Sequence, residues 1–454
     1  MKNDLIHVDP SLLAKWNRPV PRYTSYPTAP QFAPQTEGLF KEKLAVFNAS
    51  TKPLSLYLHI PFCKTMCLFC ACSVVLNRKP ERQANYFSHL LKEIDLVAQN
   101  FSNKRRVTQL HLGGGTPTSL TLDEFPRLIE KLQSRFTWGP EDEISIEVDP
   151  RTVHADGGVK LQLLKELGFN RVSFGVQDLD PVVQEAIRRR QTEEMTVTTY
   201  ERARALGFEG INIDLIYGLP HQTVERFTKT IDRIIELKAD RIAFYSYAKV
   251  PWLKEHQKAI PDETLPSTEE KFKIYVTARA RLMEAGYVAI GMDHFALAKD
   301  PMSKAYREGK LTRNFQGYAV QLAQDMIGLG LTSIGFLENT YFQNIKDLAE
   351  YQECVASRHI PVCKGFVLSE DDLIRRWAIQ SLMCQFELNK REFKGDFELY
   401  FSGIQGSLEQ LEQDGLIVQT QEKITPTPLG RLFIRLVASA FDAYLNKGQF
   451  SRAV

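Results

Sequence analysis

Three cysteines near residue 65 have the spacing of metal-cluster ligands. They are Cys63, Cys67 and Cys70, and they directly follow the apolar run Leu54–Ile60, which predicts a strand. The three-and-two spacing lets one loop wrap three thiolates around one face of a four-iron cubane cluster, and it leaves the fourth iron without a protein ligand. The loop therefore predicts an iron–sulfur cluster with one open coordination position.

A structural zinc knuckle is the alternative interpretation of this loop. Zinc in such a site prefers four closed ligands, commonly arranged as two well-separated pairs. Cys72 could supply a fourth thiolate, but it stands only two residues beyond Cys70, where the geometry is unfavourable. The chain has seven cysteines, an odd number, and the distant ones are expected to be buried structural thiols: Cys354, Cys363 and Cys384. The cluster interpretation is favoured over zinc.

Glycines and polar residues follow the next predicted strands. The segment Gly113-Gly114-Gly115-Thr116-Pro117, which we call the glycine turn, comes after the second apolar run. Its glycines allow a ligand to approach the backbone closely. Acids or amides end the next three runs: Glu147 with Asp149, Gln177 with Asp178, and Asp214. A carboxylate at a strand end is most often a helix cap. Three successive strand ends of this kind nevertheless favour a ligand site in a barrel.

Six short apolar runs alternate with helical patterns, and this alternation predicts the fold. The runs are Leu54–Ile60, Val107–Leu112, Glu143–Asp149, Arg171–Val176, Ile211–Tyr217 and Arg241–Tyr247. The helical segments between them are Ala84–Gln99, Leu122–Phe136, Val159–Leu167, Met195–Leu206 and Val224–Leu237, with Gly168 and Gly207 marking two helix ends. The alternation implies parallel strands joined by right-handed crossovers and curled into a partial (β/α)6 barrel, with functional groups at the carboxyl ends of the strands.

The chain is predicted to consist of three parts within the α/β class. Residues 1–50 form a loop-like N-terminal extension that contacts the active site, and residues 51–365 form the barrel with the α/β elements that follow it. Residues 366–454 form a mostly helical domain whose pattern resembles a winged helix.

Charge and hydropathy give no reason to expect a nucleic-acid or membrane partner. The formal net charge is +2, and no basic face argues for nucleic acid. No stretch of about 18 apolar residues occurs, and the best candidate, Leu432–Leu445, contains Arg435 and Asp442 and predicts an amphipathic helix. Met1–Trp16 lacks the uninterrupted apolar core of a signal peptide. We therefore expect a cytoplasmic protein with no membrane partner.

The cysteine loop after the first strand resembles the radical S-adenosylmethionine superfamily. In that superfamily the open iron of a 4Fe-4S cluster chelates the amino and carboxylate groups of the methionine moiety. One electron from the cluster then yields a 5′-deoxyadenosyl radical, while the protein binds, orients and shields the cofactor. The segment that corresponds to Gly113–Pro117 contacts the methionine amino group in the family.

Longer motifs resemble one family of the superfamily, the oxygen-independent coproporphyrinogen III oxidases. The matching segments are Pro21–Pro27, Tyr57–Cys63 with the extra Cys72, Ile146–Pro150, Asn212–Pro220, Gly291–Phe295, Arg313–Tyr318 and Gln449–Arg452. The resemblance runs from about residue 20 to the end of the chain. It implies oxidative decarboxylation of two propionate groups of coproporphyrinogen III to vinyl groups, giving protoporphyrinogen IX, with two S-adenosylmethionine molecules held by the protein.

The resemblance also implies roles for particular residues. The first S-adenosylmethionine would contact Tyr57, Phe69, Gly114, Glu147 and Ile334. The second would contact Gly115, Thr116, Gln177, Arg189, Asp214 and Ala248. Tyr57, His59 and Cys72 are expected in the catalytic group, although His59 is equally consistent with a structural histidine and the role of Cys72 is open. Arg22 and Arg313 are the candidates for binding the substrate carboxylates. Arg188 and Arg190, which flank Arg189, are expected on a solvated helix face.

Two other functions compete with the oxidase. A haem chaperone of the same superfamily shares the barrel, the cysteines and the glycine turn, but it lacks the counterparts of Cys72 and of the Arg22–Pro27 segment. A protein that carries a cluster only for structure or electron transfer would have no use for the glycine turn or the acids at the strand ends. The oxidase is favoured, with a flavodoxin or ferredoxin as electron donor and a monomeric state expected.

Overall fold

The computed structural model describes residues 8–320 and 323–453. The predicted N-terminal extension of residues 1–50 therefore begins outside the described residues. The strands are β1 (Ala33–Pro34), β2 (Leu54–Ile60), β3 (Phe62–Cys63), β4 (Val75–Leu76), β5 (Arg105–Gly114), β6 (Phe136–Thr137), β7 (Glu143–Val148), β8 (Arg171–Gln177), β9 (Gly210–Tyr217), β10 (Arg241–Ser246), β11 (Tyr287–Ile290), β12 (His294–Leu297), β13 (Thr312–Asn314), β14 (Gly317–Ala319), β15 (Met326–Leu329), β16 (Ile334–Leu337), β17 (Thr340–Asn344), β18 (Val362–Val367), β19 (Leu388–Asn389), β20 (Ile417–Gln419) and β21 (Lys423–Pro426).

The α-helices alternate with these strands in the first half of the chain and predominate after residue 368. They are α1 (Pro10–Trp16), α2 (Glu37–Asn48), α3 (Pro80–Ala98), α4 (Glu124–Arg135), α5 (Pro150–Ala155), α6 (Val159–Glu166), α7 (Pro181–Ala186), α8 (Glu193–Ala205), α9 (Val224–Leu237), α10 (Thr268–Glu284), α11 (Pro301–Arg307), α12 (Leu348–Ala356), α13 (Glu370–Gln385), α14 (Phe397–Tyr400), α15 (Gln405–Gln413), α16 (Pro428–Leu432) and α17 (Ile434–Ser439). Across the described ranges, no helix combines the length and apolar character needed to cross a bilayer.

The six predicted strands are confirmed as β2, β5, β7, β8, β9 and β10. Local chemistry explains where the helices between them begin and end. The hydroxyl of Thr192 accepts a hydrogen bond from the backbone of Met195 at the start of α8, and Thr223 caps α9 in the same way. Gly168 and Gly207 have φ angles of 90° and 77°, which let the chain leave α6 and α8 in the left-handed region as predicted.

The chain forms two compact units, and one of them contains the cysteine loop. This cysteine unit comprises residues 32–214 and 321–367, so that the division at residue 214 falls within β9. Its strands follow the order β1-β18-β17-β16-β15-β2-β5-β7-β8-β9. The pairs β15–β2, β2–β5, β5–β7 and β7–β8 are parallel, whereas β15 to β18 pair antiparallel. The carboxyl ends of β2, β5, β7 and β8 therefore lie at one edge of the sheet.

The terminal unit comprises, among the described residues, 8–31, 215–320 and 368–453. In it β12 pairs antiparallel with β10 and β11, β13 pairs with β14, and β19, β21 and β20 form a small sheet. A single hydrophobic core joins the N-terminal segment, α10 and the C-terminal helices; it includes Trp16, Tyr26, Phe272, Leu382 and Phe441.

The amphipathic helix predicted for Leu432–Leu445 is wrong in extent and in character. The structure has the short helices α16 and α17, separated at Phe433, and α17 is buried along its whole length. Arg435, whose charge suggested a solvated face, is buried and donates hydrogen bonds to backbone carbonyls that include Pro21 and Arg452. The sequence alone does not show that the Arg435 guanidinium is paired with backbone carbonyls from two segments that are distant in sequence.

Candidate functional site

One face of the parallel strands is packed, and the other carries polar side chains that remain partly accessible. Along β8 and β9 the buried positions alternate with partly exposed ones, as expected when helices cover only one face. In β2, β5 and β7 runs of two or three buried residues separate the partly exposed positions. The partly exposed positions near the carboxyl ends are Tyr57, His111, Gly114, Glu147, Ser173, Gly175, Asn212 and Asp214. The register places Tyr57 beside His111 and Glu147 beside Ser173. We call this set the inner polar face.

Tyr57 and His59 are fixed by a chain of hydrogen bonds. The Nε2 atom of His59 lies 2.9 Å from the carbonyl oxygen of Ser73, and its Nδ1 atom lies 3.0 Å from the hydroxyl of Tyr57. Because a carbonyl can only accept, Nε2 carries the proton and Nδ1 accepts from Tyr57. Burial lowers the pKa of His59 and keeps the ring neutral. His59 therefore orients Tyr57 and ties it to the segment that follows the cysteine loop.

Glu147 is the most exposed acid of the inner polar face, with 44% of its side chain accessible. One carboxylate oxygen accepts a hydrogen bond from the backbone of Gly114 at 3.0 Å, and the other lies 3.6 Å from Nε2 of His111. Burial among protein atoms raises the pKa of Glu147, but His111 and the Gly114 amide outweigh it and lower the pKa below its usual value. The carboxylate is thus ionised and open to a ligand that donates hydrogen bonds.

The glycine turn is required by close packing. A Cβ atom on Gly115 would lie 2.5 Å from the carbonyl oxygen of Pro61, and one on Gly113 would lie 2.9 Å from the ring of Tyr57. Gly114 has a φ of 123° and faces the ring of His59, 2.8 Å from where a Cβ would stand. Side chains are therefore excluded at all three positions, and the backbone remains partly accessible at Gly114 and Gly115.

The cysteine loop begins at the carboxyl end of β2, next to this turn. Its cysteines form no disulfide, with Cys67 buried, Cys63 and Cys70 partly buried and Cys72 exposed. The Sγ of Cys63 lies 3.2 Å from the hydroxyl of Thr116. In the described parts of the chain, no three His, Cys, Asp or Glu side chains gather closely enough to enclose a single metal ion. The all-sulfur donor set on one short loop suits an iron–sulfur cluster, in which each thiolate binds a different iron.

Two arginines surround the sulfur of Cys67. The guanidinium of Arg189 lies 3.6 Å from this Sγ, and that of Arg151 lies 3.8 Å from it. The carboxylate of Asp149 holds Arg151 through two guanidinium nitrogens, at 3.0 and 2.6 Å, and lies 3.7 Å from Arg189. Arg189 also binds the carbonyl of Gly175. In contrast, Arg190 is exposed and pairs with Glu185.

Asp214 ends the inner polar face at β9. Its carboxylate accepts hydrogen bonds from Ser173 at 3.1 Å and from Asn212 at 2.7 Å. Burial, together with the negative charge of Glu147, raises the pKa of Asp214 to about 7. Gln177, at the end of β8, has a φ of 73°, in the left-handed region that side chains seldom adopt. Asp178 is buried, and its side chain caps the backbone of Asp180.

The remaining predicted cofactor residues lie in three separate segments. Phe69 is partly buried within the cysteine loop, and Ile334 is the first residue of β16. Ala248 follows β10 and belongs to the terminal unit. The roles of these three residues stay predictions.

The two predicted substrate residues, Arg22 and Arg313, meet around one buried acid of the terminal unit. The carboxylate of Asp293 lies 3.9 Å from Arg22 and 3.7 Å from Arg313. Burial raises the pKa of Asp293, but Arg313, His294 and Arg22 lower it to about 2. Two of the guanidinium nitrogens of Arg313 have no hydrogen-bond partner among the described residues, although only 3% of the side chain is exposed.

Two further cations belong to the same cluster. Burial and the charge of Arg22 lower the pKa of Arg435 to about 9. Lys271 donates to the carbonyl of Tyr247 at 3.0 Å, and its side chain passes where a Cβ of Gly218 would stand, 2.5 Å from Lys271 Cε. Burial, Arg22 and Arg435 lower the pKa of Lys271 to about 7. We call Arg22, Lys271, Arg313 and Arg435 the cation cluster; Asp293 is the carboxylate that pairs with its arginines.

Sequence reasoning missed several residues that the structure brings to these sites. His111 shares the accessible face of β5 with Gly113, and strand alternation could have identified it. Arg151 directly follows the Asp149–Pro150 helix start, and Asp293 lies within the motif Gly291–Phe295. Nothing in the local sequence distinguishes Lys271 from the exposed lysines of α10.

Two family models match separate segments of the chain. The model of the radical SAM superfamily matches residues 57–234, and that of the HemN C-terminal domain matches residues 368–433. Oxygen-independent coproporphyrinogen III oxidases from a Synechocystis species and from Escherichia coli are 43% and 41% identical to the chain, with 98% of the chain covered in each case and 97% and 98% of those proteins.

A solved structure matches at the level of the fold. It is described as coproporphyrinogen III oxidase (HemN) from Escherichia coli, a radical SAM enzyme; it aligns with a TM-score of 0.89 at 40% identity, over 97% of this chain and all of that one. The predicted α/β class, with its partial barrel and mostly helical C-terminal part, is confirmed, as is the resemblance drawn from the motifs.

Proposed function

The chain belongs to the family of oxygen-independent coproporphyrinogen III oxidases, and from that premise we propose that it decarboxylates two propionate groups of coproporphyrinogen III to vinyl groups. The observation that carries this proposal is the position of three cysteine thiols beside the glycine turn and the ionised Glu147. Membership of the radical SAM superfamily implies S-adenosylmethionine and a 4Fe-4S cluster as cofactors. The product of two such decarboxylations is protoporphyrinogen IX.

Cys63, Cys67 and Cys70 would hold the cluster. When bound, the cluster and S-adenosylmethionine supply a 5′-deoxyadenosyl radical that takes a hydrogen atom from the β-carbon of a propionate, after which carbon dioxide and one electron leave. The chain itself binds, orients and shields these reactants. An electron donor such as a flavodoxin or ferredoxin would reduce the cluster, and a separate acceptor would take the electron released.

The inner polar face suits a ligand with an amino group and a carboxylate. The ionised Glu147, held by the backbone N–H of Gly114, can bind a positively charged amino group, while Tyr57, held by His59, limits where the rest of the ligand lies. With Phe69 and Ile334 these residues would form the first S-adenosylmethionine site. Gly115, Thr116, Gln177, Arg189 and Asp214 would contact a second molecule, to which we also assign Ala248. The two sites would give one radical for each propionate.

Asp214, a residue of the second of these sites, and Cys72, which belongs to neither, are titratable groups that could handle protons. With a pKa of about 7, Asp214 exists in both protonation states near neutral pH and can hold or release a proton at its carboxylate. Hydrogen bonding to Cys70 and its charge raise the pKa of Cys72 well above the usual value, so Cys72 remains a neutral thiol. Cys72 can therefore act as a hydrogen donor without competing for iron.

The cation cluster of the terminal unit suits a polycarboxylate substrate. Its arginines outnumber the carboxylate Asp293 with which they pair, and Arg313 has donors without partners among the described residues. Buried cations in excess attract anions, and guanidinium groups bind carboxylates in pairs of hydrogen bonds. We assign Arg22 and Arg313 to the propionate groups of the substrate. A cytoplasmic monomer is the form of the protein that we propose.

Anaerobic reconstitution tests the proposal. The protein is loaded with iron and sulfide and mixed with a reductant, S-adenosylmethionine and coproporphyrinogen III. We expect 5′-deoxyadenosine and protoporphyrinogen IX in a ratio of two to one, together with two S-adenosylmethionine molecules bound per chain. Deoxyadenosine without the porphyrin product would indicate another substrate, whereas haem binding without either product would indicate a chaperone.

A further inference from the structure

We propose that Arg151 raises the reduction potential of the iron–sulfur cluster by donating a hydrogen bond to the sulfur of Cys67. The inference rests on the cluster assigned above to the cysteine loop, and it gives Arg151 a role that the cofactor contacts do not require. Arg151 is a positioning residue in this scheme, because it acts on the cluster through the sulfur of a ligand.

Cys67 is the most buried of the three ligand thiols. Its Sγ has two guanidinium groups within hydrogen-bonding range of sulfur, Arg189 at 3.6 Å and Arg151 at 3.8 Å. Cys63 differs, since its Sγ meets the neutral hydroxyl of Thr116. One corner of the cluster would thus lie against two positive charges, whereas another lies against an uncharged donor.

Asp149 holds Arg151 in place for this contact. The carboxylate accepts hydrogen bonds from Nε and from one terminal nitrogen of Arg151, and it also accepts from the Arg151 backbone at 3.0 Å. Burial lowers the pKa of Arg151, but Asp149 more than offsets this and raises it above its usual range. The two arginines and Asp149 together carry a net charge of +1, so positive charge remains for the sulfur.

The effect on the cluster has a definite sign. Reduction adds one negative charge to the cluster, and hydrogen bonds to its sulfurs stabilise the more negative state. A cluster that is easier to reduce can accept an electron from a weaker donor. Loss of the Arg151 contact should therefore shift the potential to more negative values, while the cluster still assembles on Cys63, Cys67 and Cys70.

The test is a potentiometric titration of the reconstituted protein, followed by electron paramagnetic resonance without S-adenosylmethionine or substrate. We expect a more negative midpoint potential in Arg151→Gln, which removes the charge, and a smaller shift in the same direction in Arg151→Lys. Arg190→Gln removes an exposed arginine of the same unit and should leave the potential unchanged.

Each outcome separates this inference from the proposed function. A wild-type protein that assembles no four-iron cluster would refute the assignment of the cysteine loop itself. A normal cluster with the same potential in wild type and Arg151→Gln would overturn the role of Arg151 alone. If Arg151→Gln fails to assemble a cluster, the midpoint potential of Arg151→Lys provides the test. An unshifted potential in Arg151→Lys, which lacks the guanidinium pairing with Asp149, would also contradict the proposal.

Discussion

The inner polar face and the cation cluster handle charge in opposite ways. On the inner polar face both acids have matched neighbours: Glu147 has Gly114 and His111, and Asp214 has Ser173 and Asn212. In the cation cluster Asp293 is the paired carboxylate, while Arg22, Lys271, Arg313 and Arg435 crowd together. A balanced lining suits a zwitterionic cofactor, and an unbalanced one suits an anion.

The difference reflects how each site is built. Neighbouring parallel strands bring the residues of the inner polar face together, so strand register spaces the donors and acceptors regularly. The cation cluster takes its members from the N-terminal segment, α10, β13 and α17, which are distant in sequence. The predictions below test whether cofactor chemistry depends on the first region and substrate affinity on the second.

The largest effect is expected from loss of a ligand thiol in the cysteine unit. Replacing Cys70 with Ser should abolish turnover and lower the iron content, because the cluster loses one of three protein ligands. Iron and sulfide analysis with electron paramagnetic resonance checks this result. Cys354→Ser is the matched control, since that thiol lies away from the loop and should be replaceable. A Cys70→Ser protein with normal cluster content would contradict the coordination proposed here.

A smaller effect, confined to the substrate, is expected in the cation cluster. Arg313→Gln should weaken binding of a tetracarboxylate porphyrin roughly 10- to 100-fold, since a hydrogen bond to a charged group is lost in a buried place. The cluster content and S-adenosylmethionine binding should remain normal. Fluorescence titration with coproporphyrin III measures the affinity, and the exposed Arg391→Gln serves as the control. Equal loss of cofactor binding would show that the two regions are not functionally distinct.

The sequence predicted the first region far better than the second, for a physical reason. Strand alternation and the cysteine spacing placed Glu147, Asp214 and the glycine turn at the strand ends, where the structure has them. Arg22 and Arg313 were predicted from their sequence neighbourhood alone, but Lys271 and Arg435 were not predicted. Their lowered pKa values depend on neighbours brought together by tertiary packing, which local pattern does not encode. For the same reason the short, buried α17 was mistaken for part of an amphipathic helix.

Lys271 predicts a pH dependence for substrate binding. In the free protein its pKa is about 7, lowered by burial and by Arg22 and Arg435, and a bound carboxylate should raise it. Below pH 7 the amine is charged in both states, so affinity should be constant. Above pH 7 binding must take up a proton, and affinity should fall by up to about tenfold per pH unit.

The variant Lys271→Met should remove this dependence on pH, whereas Lys273→Met, on the exposed side of α10, should keep it. Titrations with coproporphyrin III between pH 6 and 9 measure the effect. The groups that face Lys271 are the guanidiniums of Arg22 and Arg435 and the ring of Tyr217, 5.8 Å from its amine. A wild-type profile that is flat above pH 7 would exclude Lys271 from carboxylate binding.

The smallest effect is expected at His59, which holds Tyr57 of the inner polar face through a hydrogen bond. Glutamine can still donate to the carbonyl of Ser73 and accept from Tyr57, so His59→Gln should lower kcat/KM by less than about tenfold. His59→Phe cannot do either and should lower it further, with KM for S-adenosylmethionine rising because Tyr57 loses its orientation. Steady-state kinetics on both variants measure the difference. If both variants lose activity equally while the cluster is intact, His59 contributes to the reaction itself and does not only orient Tyr57 for the cofactor.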